Sequence, residues 1–217
     1  MLKELFEGLL ELLAPTRCAA CGSLLGEQGE PLCAACSPLL EPLEPDVGLP
    51  YRALFRYGGP IADAIRRLKY EGMSEVASAM GPSLSDAVID WQPRLHAVTA
   101  VPLAGAKLRT RGYNQSGLLA RQVADRLALP FEPLWLRRVR EGQRQVGQSK
   151  AARLAQTQGA FVASPHAHGK TILLVDDVRT TGATLSAAAL ALEQAGALAV
   201  YQLVLAEADE RRAYAPL

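Results

Sequence analysis

The 217-residue chain is predicted to fold as an α/β protein, a parallel sheet with helices on both faces, with a small cysteine-rich module ahead of it. Three observations predict this. The apolar run Ile172-Leu173-Leu174-Val175 delivers Asp176 and Asp177 to a Gly/Thr turn that opens a helix. Upstream, segments of strand pattern alternate with segments of helical spacing. All four cysteines fall into two C-x-x-C pairs between residues 18 and 36.

Cys18-Ala19-Ala20-Cys21 and Cys33-Ala34-Ala35-Cys36 are separated by eleven residues, which is zinc-ribbon-like spacing. Each pair makes a knuckle presenting two thiolates, and two knuckles close a tetrahedral S₄ site around a structural Zn²⁺. Two disulfides and an iron–sulfur cluster are the competing readings of the same cysteines. Pro38, Pro42, Pro45 and Pro50, with Glu41, Glu44 and Asp46, then form a semi-rigid, solvated linker. The expected division is therefore a module at 1–45 and an α/β domain at 46–217. Ahead of the cysteines, residues 2–13 are amphipathic but carry Glu4, Glu7 and Glu11, too acidic for a signal peptide, so a cytoplasmic start is expected.

Beyond the linker, residues 51–57 alternate as a half-exposed strand, and residues 60–68 repeat apolar positions at helical spacing from an N1 proline. A helical stretch near 74–88 precedes a strand at 96–101. Asn114 is placed to cap a helix carrying Leu118, Leu119, Val123 and Leu127 on one face. A strand ending before Asp176, a helix from Leu185 closed by Gly196 and a strand at 199–205 complete the pattern. No apolar run approaches the roughly 20 residues a membrane span requires. Lys and Arg (23) nearly balance Asp and Glu (22), so net charge selects no partner. Residues 137–153 are locally cationic, with six Lys/Arg against Glu141.

The segment after Val175 carries the clearest chemistry. Free N–H groups and the positive dipole end of a helix converge on an anion there, while Gly182 lets the backbone approach and Thr180, Thr181 and Thr184 add hydroxyls. Asp176 and Asp177 stand one step away, where carboxylates accept hydrogen bonds from sugar hydroxyls. A P-loop is excluded: its leading glycine would fall at Ser164, and Lys170-Thr171 runs into a strand. Val175-Asp176-Asp177-Val178-Arg179-Thr180-Thr181-Gly182-Ala183-Thr184 resembles the 5-phosphoribosyl-1-pyrophosphate (PRPP) motif of type I phosphoribosyltransferases. A second segment follows the strand at 96–101. Ligands bind beyond the carboxyl ends of such strands, which places Lys107, Arg109 and Arg111 in that loop for a pyrophosphate.

Together these segments resemble the ComF family, in which a cysteine-rich zinc module precedes a phosphoribosyltransferase-like domain. The resemblance spans nearly the whole chain: the C-x-x-C pairs, Leu68-Lys69-Tyr70-Glu71-Gly72, Val101-Pro102-Leu103, Arg109 to Gln115, Gln145 to Phe161, and 175–184. It implies that Asp176 and Asp177 hold the ribose hydroxyls, and that Thr180, Thr181, Gly182, Ala183 and Thr184 hold the 5′-phosphate. Lys69, Lys107, Arg109 and Arg111 would face pyrophosphate, under a hood carrying Arg144, Gln148, Lys150 and Arg153. One departure is Gln156, where family members often have Asn.

The resemblance implies transfer of a phosphoribosyl group from PRPP with Mg²⁺, release of pyrophosphate, and a link to natural competence. The acceptor is not legible. His96, His166 and His168 fall at a strand start and in a Pro/Gly loop, positions that suit structure better than catalysis. Two other classes are a PRPP sensor without catalysis and an accessory protein handling single-stranded DNA or binding competence proteins. Against DNA binding, residues 137–153 contain no aromatic for base stacking, and Trp135 stands just outside.

Overall fold

The computed structural model describes residues 17–25, 31–46, 48–91, 94–139 and 159–208. In chain order the elements are β1 (Tyr51–Arg56), α1 (Gly59–Tyr70), α2 (Glu75–Trp91), β2 (Ala97–Ala100), α3 (Gly105–Arg111), α4 (Gln115–Arg126), β3 (Leu136–Arg138), β4 (Phe161–Ala163), β5 (Thr171–Arg179), α5 (Ala183–Gln194) and β6 (Ala199–Glu207). Among the described residues four strands form one all-parallel sheet in the order β1-β6-β5-β2, and β3 pairs antiparallel with β4 in a separate ribbon.

The period of two in β5 builds both halves of the core. Leu173 and Val175 join Ile61, Leu68, Met80, Leu84 and Leu119 of α1, α2 and α4 on one face. Ile172 and Leu174 join Leu185, Ala188 and Leu192 of α5 on the other. A strand buried on both faces has no polar position until its chain leaves the helices, which is why its sequence is continuously apolar to Val175. The expected helices on both faces are thus present.

Several local expectations change. The strand does not stop before the acid pair but continues through Asp176 and Asp177 to Arg179, because β6 stays paired with it as far as Glu207. The segment read as a loop after β2 is largely α3, closed by Gly112 in the left-handed region (φ +84°). Asn114 does occupy the N-cap position of α4, yet its side chain caps nothing. Its Nδ2 donates instead to the carbonyl of Val101 at 3.0 Å, tying the helix to the end of β2. The first residues of the cationic segment form β3, where Arg138 lies over the Phe161 ring at 5.3 Å.

The proline-rich linker is not a free spacer. Residues 41–43 run antiparallel along the outer edge of β1, with Leu43 N–H donating to Leu54 O at 2.9 Å and Arg56 N–H to Glu41 O at 2.8 Å. On the opposite edge, Val98 and the segment at 130–132 exchange backbone bonds, so both sheet edges are covered. The cysteine loops also share the core of the sheet. Cys18, Ala19, Ala20 and Leu32 belong to the same apolar cluster as Ile61, Ile65 and Leu68, and Arg67 of α1 donates to Ala20 O at 3.3 Å. Gly22 (φ +77°) lies against that guanidinium so closely that a Cβ would collide with its Nη1.

This docking makes Leu32→Ala a probe of the whole chain. Leu32 is 4% exposed, and its truncation should lower stability by about 2–4 kcal/mol. Urea unfolding followed by Trp91 and Trp135, both on the sheet domain, should show the shift; an unmoved midpoint would mean the module is an independent bead.

Candidate functional site

β2 makes its last ladder pair at Ala100↔Val175, and Val101 N–H donates to Val175 O at 2.9 Å. Past that point β5 keeps β6 on one side, and the first turn of α4 closes on its acids. Ser116 Oγ donates to Asp176 Oδ1 at 2.7 Å, and the Asp177 N–H donates to the same oxygen at 2.9 Å. Burial, and next the charge of Asp177, push the Asp176 carboxyl up to about 8. Asp177, 4% exposed, is held by an ion pair from Lys69 Nζ to Oδ2 and by Gln115 Nε2, which donates to Oδ1 at 3.4 Å. The carbonyl end of Gln115 in turn accepts from Arg111, whose guanidinium lies 5.3 Å over the Tyr70 ring.

A cavity of about 490 Å³ opens between the end of α1 and α3, lined by Lys69, Tyr70, Gly72, Ala106, Lys107, Thr110 and Arg111. Helical geometry selects which cations reach it. Lys107 and Arg111 are four residues apart and share a face, whereas Arg109 is two from each and points elsewhere. Arg109 is accordingly absent from the lining, and its Nη1 lies 3.6 Å from where a Cβ on Gly105 would be. The sequence-identified Lys69, Lys107, Arg111 and Asp177 are thus brought together.

The turn after β5 is short. Gly182 is the left-handed N-cap of α5 (φ +76°), and Thr181 Oγ1 accepts from Ala183 N–H at 3.4 Å. Thr180 is exposed, Thr181 and Thr184 half-buried, Gly182 and Ala183 buried. Arg179 braces this turn from the strand side: a Cβ on Gly182 would fall 2.8 Å from its Nε. That guanidinium pairs with Glu207 and lies 4.6 Å over Tyr51, whose hydroxyl donates to Glu207 at 3.1 Å. Sequence reasoning assigned no role to Arg179, Gln115 or Ser116. The motif Arg111-Gly112-Tyr113-Asn114-Gln115 did mark the place for the last two, but the partners of all three are distant in sequence.

The four cysteine sulfurs lie within 4.8 Å of one another, with Cys21 and Cys33 at 3.7 Å, and none is disulfide-bonded. A tetrahedral zinc–thiolate shell, with bonds of about 2.3 Å, spaces sulfurs about 3.8 Å apart, so the donor set can take a metal ion such as zinc. The Ser23 hydroxyl, chief among several hydrogen bonds, brings Cys33 down to about 6, whereas burial and the neighbouring thiols push Cys36 up to about 12. His96 Nδ1 accepts from Thr171 N–H at 3.0 Å, and His166 and His168 are exposed. Arg144, Gln148, Lys150, Arg153 and Gln156 of the hood, and the amphipathic stretch at 2–13, lie outside the described residues. The ribbon of β3 and β4 brackets the hood segment, its last bond running from Val139 N–H to Ala160 O at 2.8 Å. No helix among the described residues is long and apolar enough to cross a membrane.

The phosphoribosyl transferase domain family matches residues 114–215. Competence protein ComFC of Streptococcus pneumoniae (strain ATCC BAA-255 / R6) is 31% identical over 152 residues, which are 70% of this chain and 65% of that protein. DNA utilization protein YhgH of Salmonella typhi is 29% identical over 188 residues, 84% of this chain and 80% of that one. YhgH of Escherichia coli (strain K12) is 30% identical over 149 residues, 66% of each. The match therefore spans just under two thirds of the pneumococcal protein. Family match and relatives agree with the motifs and with the sheet that carries them, and the chain belongs to the ComF family, with a phosphoribosyltransferase-type domain behind a four-cysteine module.

Proposed function

We propose that the protein binds PRPP and transfers its 5-phosphoribosyl group to an acceptor, releasing pyrophosphate, in the cytoplasm and in the setting of natural competence. The observation that carries this reading is the convergence of Asp177 with Lys69, Arg111 and the cavity beside them, at the carboxyl end of the central strand. Asp176 and Asp177 accept from the ribose hydroxyls. The N–H groups and hydroxyls of Thr180 to Thr184 bind the 5′-phosphate at the start of α5. Lys69, Lys107 and Arg111 face the pyrophosphate and stabilise the charge that develops on it as its bond to ribose C1 breaks. Arg109 would join them if its long side chain turned toward the ligand, and the hood residues Arg144, Gln148, Lys150 and Arg153 would cover the site against water.

Carboxylates, hydroxyls and phosphate oxygens are the hard donors that Mg²⁺ prefers, and Mg²⁺ bound with PRPP supplies further neutralisation of the leaving group. The thiolate set fits a closed structural Zn²⁺. A second reading, a PRPP sensor, is favoured by one observation: among the described residues, neither a histidine nor a carboxylate lines the cavity as a general base for an acceptor. The relatives' names, a competence protein and a DNA utilization protein, support a setting of competence and DNA use, in which single-stranded DNA and competence proteins are the partners proposed.

Calorimetric titration should show Mg²⁺-dependent PRPP binding that Asp177→Ala weakens by about 1.5–3 kcal/mol. Binding equal to the parent would remove the ribose assignment. Thr181→Pro should do more damage than Thr181→Ala, since proline deletes an N–H as well as the hydroxyl.

Metal analysis of the purified protein should give about one zinc per chain, and none in Cys33→Ser. A folded, metal-free parent with four titratable thiols would refute the zinc site.

The Asp176 carboxyl is raised in the folded state from 3.8 to about 8, so between those values folding takes up a proton. Its contribution is full below the lower value and lost as pH rises toward the upper one. Stability of the ligand-free protein should therefore fall over that interval, and Asp176→Asn should flatten the slope in urea melts recorded across it.

A further inference from the structure

Among the described residues, two cations of the cavity are linked to Asp177, Lys69 directly and Arg111 through Gln115. Lys69 reaches from the end of α1 onto Oδ2, and Gln115 holds Oδ1 while accepting from Arg111. Gln115 is buried, and its orientation is fixed by its neighbours: guanidinium can only donate, ionised carboxylate can only accept, so the amide must turn its oxygen to Arg111 and its nitrogen to Asp177. Asp177 is itself 4% exposed, so a carboxylate with both oxygens engaged has no open side for two further hydroxyl groups. Lys69 also lines the cavity, as does Arg111. The same ammonium group therefore belongs to two sites at once.

Resting on the PRPP reading above, we propose that Lys69 and Gln115 are positioning residues that hold Asp177 in place of the ribose hydroxyls, and that pyrophosphate, by drawing Lys69 and Arg111 toward the cavity, releases it, so the two halves of PRPP bind cooperatively. Each half alone meets a penalty. Ribose 5-phosphate must displace an ion pair from a carboxylate nearly out of water. Pyrophosphate that takes Lys69 leaves that carboxylate buried with its strongest partner gone. When both halves are present, hydroxyls replace the ammonium on Asp177 while phosphate oxygens receive the ammonium, and no charge is stranded. A site wired in this way responds weakly to ribose 5-phosphate and strongly to the intact diphosphate. It thus discriminates PRPP from the product of its own hydrolysis. Reciprocity is required by linkage: whatever factor pyrophosphate contributes to ribose 5-phosphate binding, ribose 5-phosphate contributes to pyrophosphate binding.

The test is calorimetric titration of the full chain, in Mg²⁺, with ribose 5-phosphate, with pyrophosphate, and with each in the presence of the other. In the parent, saturating pyrophosphate should tighten ribose 5-phosphate about fivefold or more, within the usual range of coupling between sites. Lys69→Met should move the two ligands in opposite directions, tightening ribose 5-phosphate, weakening pyrophosphate and abolishing the coupling. Lys69→Gln serves the same purpose should the methionine variant be poorly folded, and Gln115→Leu should reduce the coupling with Lys69 intact. In an Asp177→Asn background, Lys69→Met should no longer tighten ribose 5-phosphate, because the ion pair it relieves is gone. Independent binding of the two ligands in the parent, or a Lys69 variant that weakens both, would overturn the proposal and leave PRPP binding standing. Absence of binding by PRPP itself would instead overturn the functional reading beneath it.

Discussion

β5 runs nine residues and its neighbour β2 runs four, and the site depends on that difference in length. A strand flanked on both sides has its backbone satisfied and its side chains committed to two cores. Where β2 turns away at Val101, the continuing β5 carries polar side chains out of the core without leaving the sheet. Asp176 and Asp177 occupy the first positions past that departure. Because they remain strand residues paired with β6, they are held far more rigidly than residues on a turn would be.

The cost of that placement is burial, and the surroundings answer it differently for each acid. Asp176 receives two hydrogen bonds from neutral groups, Ser116 and its own chain, and its carboxyl tends to keep its proton. Asp177 receives a full charge from Lys69. Two carboxylates side by side in low dielectric cannot both ionise without help, and one cation serves one of them. The first turn of α4 then matters twice, bringing Ser116 to one acid and Gln115 to the other, while Asn114 fixes that turn to the end of β2. A helix start in which all three residues bond across to the sheet is a positioning device rather than a cap.

Docking of the cysteine loops on α1 extends the same frame. Cys18 and Leu32 share apolar neighbours with Ile61, Ile65 and Leu68, and Leu68 directly precedes Lys69. The Tyr113 hydroxyl donates to the Leu68 carbonyl, so the end of α1 is fixed from the α4 side as well. The four-cysteine module thereby supports the helix that delivers Lys69 to the site.

The sequence alone determined the alternation of strands and helices, the parallel sheet, the gathering of four thiols and the place of the Gly/Thr turn after the acid pair, because each is written in local periodicity or fixed spacing. Ile172 to Val175 reads as a doubly buried strand, and the two C-x-x-C pairs from Cys18 to Cys36 read as one set of four thiol donors. It also named Lys69, Lys107, Arg111 and Asp177 through motifs and expected them around one crevice, without being able to say which side chain would contact which. Tertiary structure decided that β5 continues through the acids, since only pairing with β6 could show it, and that α3 is helical, which places Lys107 and Arg111 on one face and Arg109 on another. It decided as well that the proline segment lies against β1 and that Gln115 and Arg179 take part. Their partners, Asp177 and Glu207, lie 62 and 28 residues away, and contacts across such distances are set by how the chain closes on itself rather than by any pattern local to it.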